Sequence, residues 1–279
     1  MKTTIYLLLI CVISINCISA QQRDVIEYFR LDPQEIQPQS SELQEYDVTL
    51  KWQNLDAING TKINCNAVKA TYIFGLENDR SAWSDVRLGR INDFRQSRFE
   101  SVALPAFNDL CYKAMDTSFL YEEFYKNIPP EQRELAKWLV SDALQMQGLA
   151  IYAFDSLSYN EEFMPELLDN YDVRFQDWVT FTSRYQKLVW SGISEHNNEI
   201  CAIVKFNSDY NPIKIDNDEL TVEGRALYYG EIWISLEDKQ VEYAVMFEDD
   251  IFSLKSHEHS HEQLIDLQRE IVFNKRNNH

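Results

Sequence analysis

Residues 220–254 read LTVEGRALYYGEIWIS, then LEDK, then QVEYAVMFEDDIFSL. Two runs rich in Val, Ile, Tyr, Trp and Phe flank a four-residue charged turn, a composition that favours strands. So short a connection requires antiparallel pairing, because a parallel pair needs a crossover. In the first run Tyr229 and Trp233 share one face, with Tyr228, Ile232 and Ile234 on the other; in the second, Val241, Tyr243, Val245 and Phe247 share a face. Both faces carry apolar bulk. One is expected to lie against a helix, and the other either forms an apolar hollow or is covered by the N-terminal strands. Tyr229, Trp233 and Tyr243 are the candidate ligand-binding residues of that hollow.

Working outward, Tyr171 to Thr182, Arg184 to Ser194 and Glu199 to Asn207 have the same strand composition. Glu195-His196-Asn197-Asn198 supplies a hairpin turn, since asparagine tolerates positive φ; His196 reads as a surface residue at its tip. Further upstream, Pro129-Pro130 opens a helix with Glu131 and Glu134 in its first turn. Leu135, Leu139, Ala143, Met146, Ala150, Ala153 and Leu157 continue it at helical spacing, giving a rod ~40 Å long if unbroken. Its second half is apolar all round, which predicts a central buried helix, with Gly148 marking a kink or a close contact. Leu149, Ile151, Phe154, Trp190, Ile203, Ile232 and Trp233 are the expected core. Near the N-terminus Tyr46, Val48, Leu50 and Trp52 alternate as in a half-buried strand, Asn59-Gly60 marks a turn, and Val68 to Leu76 and Phe94 to Leu104 hold further strands. Glu262 to Leu267 reads as a short amphipathic helix and Glu270 to Phe273 as a last strand. The expected fold class is α+β: a curved antiparallel meander packed against a long buried helix.

Residues 1–20 have Lys2, an apolar run from Ile5 to Ile15 and a polar stretch ending at Ala20, the pattern of a signal peptide. That run falls short of the roughly 20 residues that span a bilayer. An exported protein, periplasmic or secreted, is expected, with no transmembrane segment after cleavage. Residues 21–42 include a Pro-, Gln- and Ser-rich stretch and read as a mobile arm or linker; 43–279 reads as one α+β domain. The formal net charge is −19. A field of that sign repels phosphate backbones, so nucleic acid is not an expected partner.

The motifs exclude more than they assign. Seven glycines are too dispersed for a dinucleotide or phosphate-binding loop, and no serine sits in G-x-S-x-G, so no cofactor is expected. Cys65, Cys111 and Cys201 lack C-x-x-C spacing, can form at most one internal disulfide, and Cys201 reads as a buried small hydrophobe. Asn59-Gly60-Thr61 is an N-glycosylation sequon in a eukaryote. His257-Glu258-His259-Ser260-His261 matches H-E-x-x-H, in which His257 and His261 would bind zinc and Glu258 would activate its water. It follows a strand directly and lacks a third ligand, so it reads as an incidental match, with a zinc-dependent hydrolase as the alternative function. Glu122-Glu123, Glu161-Glu162 and Glu248-Asp249-Asp250 read as solvated acidic faces.

Gly230-Glu231-Ile232-Trp233-Ile234-Ser235, followed by Glu237-Asp238 and Val241 to Ala244, resembles a hairpin of exported bacterial proteins related to the periplasmic lipoprotein-carrier family. The preceding hairpin, Trp190 to Phe206, resembles its neighbour. The resemblance implies a curved antiparallel sheet with helices over its concave side, holding acyl chains. The long helix preceding these strands departs from that family. The functional expectation is a non-catalytic binding or carrier module for an apolar or amphipathic ligand, with an envelope structural or interaction protein as a further alternative.

Overall fold

A computed structural model describes residues 25–37, 43–76, 80–113, 117–164, 171–175, 179–183, 186–209, 211–216, 220–257 and 262–276. The expected signal peptide lies outside them, as do Glu258, His259, Ser260 and His261.

The chain builds one sheet of fourteen strands, in which every described ladder is antiparallel. In chain order they are β1 (Gln44–Asp56), β2 (Lys62–Leu76), β3 (Arg80–Arg90), β4 (Val102–Ala103), β5 (Cys111–Lys113), β6 (Glu162–Phe163), β7 (Tyr171–Phe175), β8 (Val179–Ser183), β9 (Lys187–His196), β10 (Glu199–Asn207), β11 (Asn211–Asp216), β12 (Leu220–Ser235), β13 (Val241–Ser256) and β14 (Glu262–Lys275). The main path runs β4-β3-β2-β1-β14-β13-β12-β10-β9-β6. The first three strands form a meander, as does the run β12-β13-β14, and pairing of β1 with β14 joins the two. β12 is long enough for two neighbours on one edge, pairing through Tyr229–Ser235 with β10 and through Thr221–Ala226 with β11.

One face of the sheet packs against a helix. Tyr46, Val48 and Leu50 of β1, Ile232 and Ile234 of β12, Ala244 and Met246 of β13, and Ile271 and Phe273 of β14 are buried there. They share a core with Leu135, Leu139, Val140, Ala143 and Met146. These belong to α2 (Arg133–Gly148), the longer of two α-helices among the described residues; α1 (Val25–Tyr28) is a single turn. The N-terminal strands extend this sheet and do not cover its second face.

The helix is shorter than its periodicity suggests. After Gly148 the backbone widens into a π-type turn over Leu149–Ala153, then tightens into a 3-10 turn over Phe154–Ser156. No atom would meet a Cβ at Gly148, so the glycine marks a conformational break and no close contact. It removes helix propensity worth ~1 kcal/mol where the α ladder gives way. Leu149, Ala150, Ala153 and Phe154 are nonetheless buried, in line with an enclosed second half.

Both hairpin turns fall where expected. Asn197 and Asn198 have φ of 53° and 67°, and Lys239 has φ of 62°. Among the strands that escape the sequence pattern, besides the short β5 and β6, three show why. β3 changes phase at Asp85, whose φ is 51°, so that Trp83 and Val86, three residues apart, are both buried. β11 is only six residues long. The expected helix at Glu262–Leu267 is a strand that continues through Lys275 and buries Ile265, Leu267, Arg269, Ile271 and Phe273 in strict alternation. An arginine in the middle of the inward row disguises its period of two.

Candidate functional site

The two faces of β12–β14 carry different chemistry. On the inward face, Arg269 of β14 is 6% exposed and sits beneath α2. Its Nη2 donates to Asp142 Oδ2 at 2.5 Å, its Nη1 to Glu248 Oε2 on β13, and its guanidinium lies 4.7 Å from the Trp138 ring centroid. Tyr228 on β12 donates its hydroxyl to the other oxygen of Glu248. Asp250, two residues along β13, completes a buried set of three carboxylates around one arginine. The reading of Glu248-Asp249-Asp250 as a solvated acidic face is therefore corrected, since only Asp249 points outward and the alternation of a strand turns its neighbours into the core.

Burial controls the protonation of this set. It pushes Asp142 up to about 6, with Arg269 opposing the rise and Glu248 adding to it. Burial, then the charge of Glu248, raises Asp250 well above the usual carboxylate range, with Arg269 partly offsetting this. Desolvation acts against the charge on Arg269, but Asp142 and Glu248 outweigh it and hold the guanidinium charged. A pair bonded in this way ties the helix to the sheet; removing one partner of a buried pair typically costs ~3–5 kcal/mol.

The outward face is aromatic. Tyr229 stacks on Phe247 with centroids 5.2 Å apart and planes 19° from parallel, and its hydroxyl donates to Asp249 at 3.2 Å. Two outward positions along, beyond Glu231 and Val245, Trp233 and Tyr243 meet edge to face at 5.7 Å. His196 packs on both, 5.7 Å from Trp233 and 5.5 Å from Tyr243, and its Nε2 lies 2.9 Å from Asn274 Oδ1. His196 is thus a member of the aromatic face; the turn residues proper are the two asparagines that follow. Trp233 donates its indole N–H to Glu231 at 3.0 Å. The structure brings Tyr229, Trp233 and Tyr243 onto one face, where they and Ile203 are half-buried. Val241, expected beside Tyr243, instead turns into the core, because a bulge between Trp233 and Ile234 shifts the register at that end.

Between Tyr229, Phe247, Val245 and Val189 lies an open depression of about 510 Å³, with Gly230 and Phe206 in its floor and Lys205, Asn207 and Glu231 as its polar groups. At the other end of the sheet the same face is covered. Phe99, from the segment after β3, packs with Cys65, Ala67 and Ile91, and Lys69 sits 5.4 Å above its ring.

Of the H-E-x-x-H residues, His257 directly follows β13 and shares a 3.0 Å hydrogen bond with Thr221. Its glutamate and second histidine lie outside the described residues. Lys255 pairs with Glu262 at the end of the β13–β14 ladder. Among the described residues no three His, Cys, Asp or Glu side chains are grouped to hold a metal. Cys65, Cys111 and Cys201 are free thiols; burial pushes Cys201 up to about 12, which keeps it an inert small side chain.

These features define an open antiparallel sheet with one face closed by a helix and the other presenting an aromatic patch. No protein-family model matches the chain, and no curated protein matches it in sequence. Among solved structures it is similar to lipovitellin, described in terms of its lipid–protein interactions, at 13% identity and a TM-score of 0.41 over 87% of this chain. The chain spans 26% of the length of that lipovitellin chain. No described helix is long and apolar enough to cross a membrane.

Proposed function

We propose that this chain is an exported, non-catalytic binding or carrier module that takes an apolar or amphipathic ligand on the outward face of β9–β13. The observation that carries this reading is the pairing of Tyr229 with Phe247 beside a depression of about 510 Å³ that no described segment covers. Exposed aromatic area of this kind is costly to leave in water and gains on meeting an apolar surface. Lys205, Asn207 and Glu231 at its margin suit a ligand with a polar end. The space between α2 and the sheet is filled by core side chains, so the ligand position differs from the one the lipoprotein-carrier resemblance implies.

The test is a titration with dodecanoate followed by tryptophan fluorescence, since Trp233 lies on the binding face. Saturable binding is expected, and Tyr229→Ala combined with Phe247→Ala should weaken it about tenfold, the equivalent of ~1.4 kcal/mol. Lack of saturation, or binding indifferent to both truncations in a folded double variant, rejects the site.

A further inference from the structure

We infer that, in a eukaryotic secretory pathway, Asn59 is an acceptor for an N-linked oligosaccharide, and that the glycan covers an apolar tip of the sheet. Asn59-Gly60-Thr61 is the sole N-x-S/T sequence in the chain. It sits at the tip of the β1–β2 hairpin, where all three residues are exposed and Gly60 has φ of 71°. The turn closes on itself. Asp56 Oδ1 accepts from the backbone of Ile58 at 2.9 Å and of Asn59 at 3.2 Å, and Thr61 N donates to Asn59 Oδ1 at 2.8 Å. The remaining atom of the Asn59 side chain, the amide Nδ2, is the nucleophile that glycosyl transfer requires, and Asp56 Oδ2 accepts from it at 3.1 Å. No core residue belongs to this turn, so a branched sugar fits there without displacing packing.

The second observation is the apolar surface around it. Ile58 is 81% exposed, Ile63 53% and Leu264 38%. Ala57 N bonds Leu264 O at 2.9 Å, which sets the β1–β2 tip against the start of β14. Large aliphatic side chains gathered at a hairpin tip are an association hazard unless something polar stands over them. An oligosaccharide on Asn59, the residue after Ile58, is placed to do so.

In the reaction a bond forms between Asn59 Nδ2 and the anomeric carbon of a polyprenyl-diphosphate-linked oligosaccharide. The anomeric carbon–oxygen bond to the diphosphate breaks with its electron pair going to the leaving polyprenyl diphosphate, and the proton lost by the amide passes to solvent.

The experiment is secretion of the full chain from a eukaryotic cell line, with intact-mass measurement before and after endoglycosidase treatment. A mass increase of one oligosaccharide is expected, lost in Asn59→Gln and in Thr61→Ala. A secreted wild-type chain of unmodified mass, or a glycan that persists in Asn59→Gln, overturns the assignment. Enzymatic removal of the glycan should also increase fluorescence of a hydrophobic-surface dye; a Leu264→Ser, Ile58→Ser variant should suppress that increase. Equal dye binding with and without glycan overturns the covering role.

Discussion

Asp250 shares a buried pocket with Glu248, and its carboxyl is raised chiefly by desolvation. Asp142, across the cluster, is raised to about 6. An unfolded aspartate titrates near ~3.9, so between these values the folded chain holds protons that the unfolded chain has released. Stability therefore falls as pH rises through this window, and the destabilisation is complete above the folded pKa values. Urea denaturation should give a higher midpoint at mildly acidic than at neutral pH. Asp250→Asn, which keeps the shape but cannot ionise, should raise the neutral midpoint and flatten the pH profile. A midpoint that rises steadily from acid to neutral pH contradicts this.

The long strands β12 and β13 meet without spare room at Gly230. A Cβ built there lies 2.2 Å from Val245 O and 3.0 Å from Phe206. Gly230→Ala must open the β12–β13 ladder or displace Phe206, an overpacking cost of ~1–3 kcal/mol. The check is the urea midpoint, with Ser191→Ala on β9, two strands from β12, as a substitution expected to have a small effect. The hairpins turning at Asn198 and Lys239 were legible because their strands are rich in β-branched and aromatic residues and their turns use residues that take positive φ here. Sequence periodicity failed where a charge or a bulge interrupts the rhythm. Arg269 hid the first half of β14, whose end at Glu270–Phe273 was legible as a strand, Asp85 hid β3, and a bulge beside Trp233 sent Val241 inward. The same limit applies to the site. Tyr229, Trp233 and Tyr243 could be placed on one face by counting twos, whereas the ion cluster joins Asp142 to Arg269 across 127 positions, a pairing that no local pattern encodes.

At the scale of the molecule, the pairing of Tyr46 with Lys275 and of Asp56 with Ile265 makes β14 the bridge between two meanders. Deleting residues 262–279 would remove Arg269 from its three carboxylates and leave β1 and β13 as open edges in the middle of the sheet. The truncated chain should lose its near-ultraviolet circular dichroism and aggregate; retention of a cooperative urea transition would show that one meander folds alone. The position of β14 also bears on the order of events during synthesis. β14 follows the other thirteen strands in sequence yet lies between β1 and β13, so the native topology cannot close until it has been made. Its ladder with β1 joins the two ends of the described chain, a non-local pairing of the kind that slows folding and leaves strand edges open until it forms.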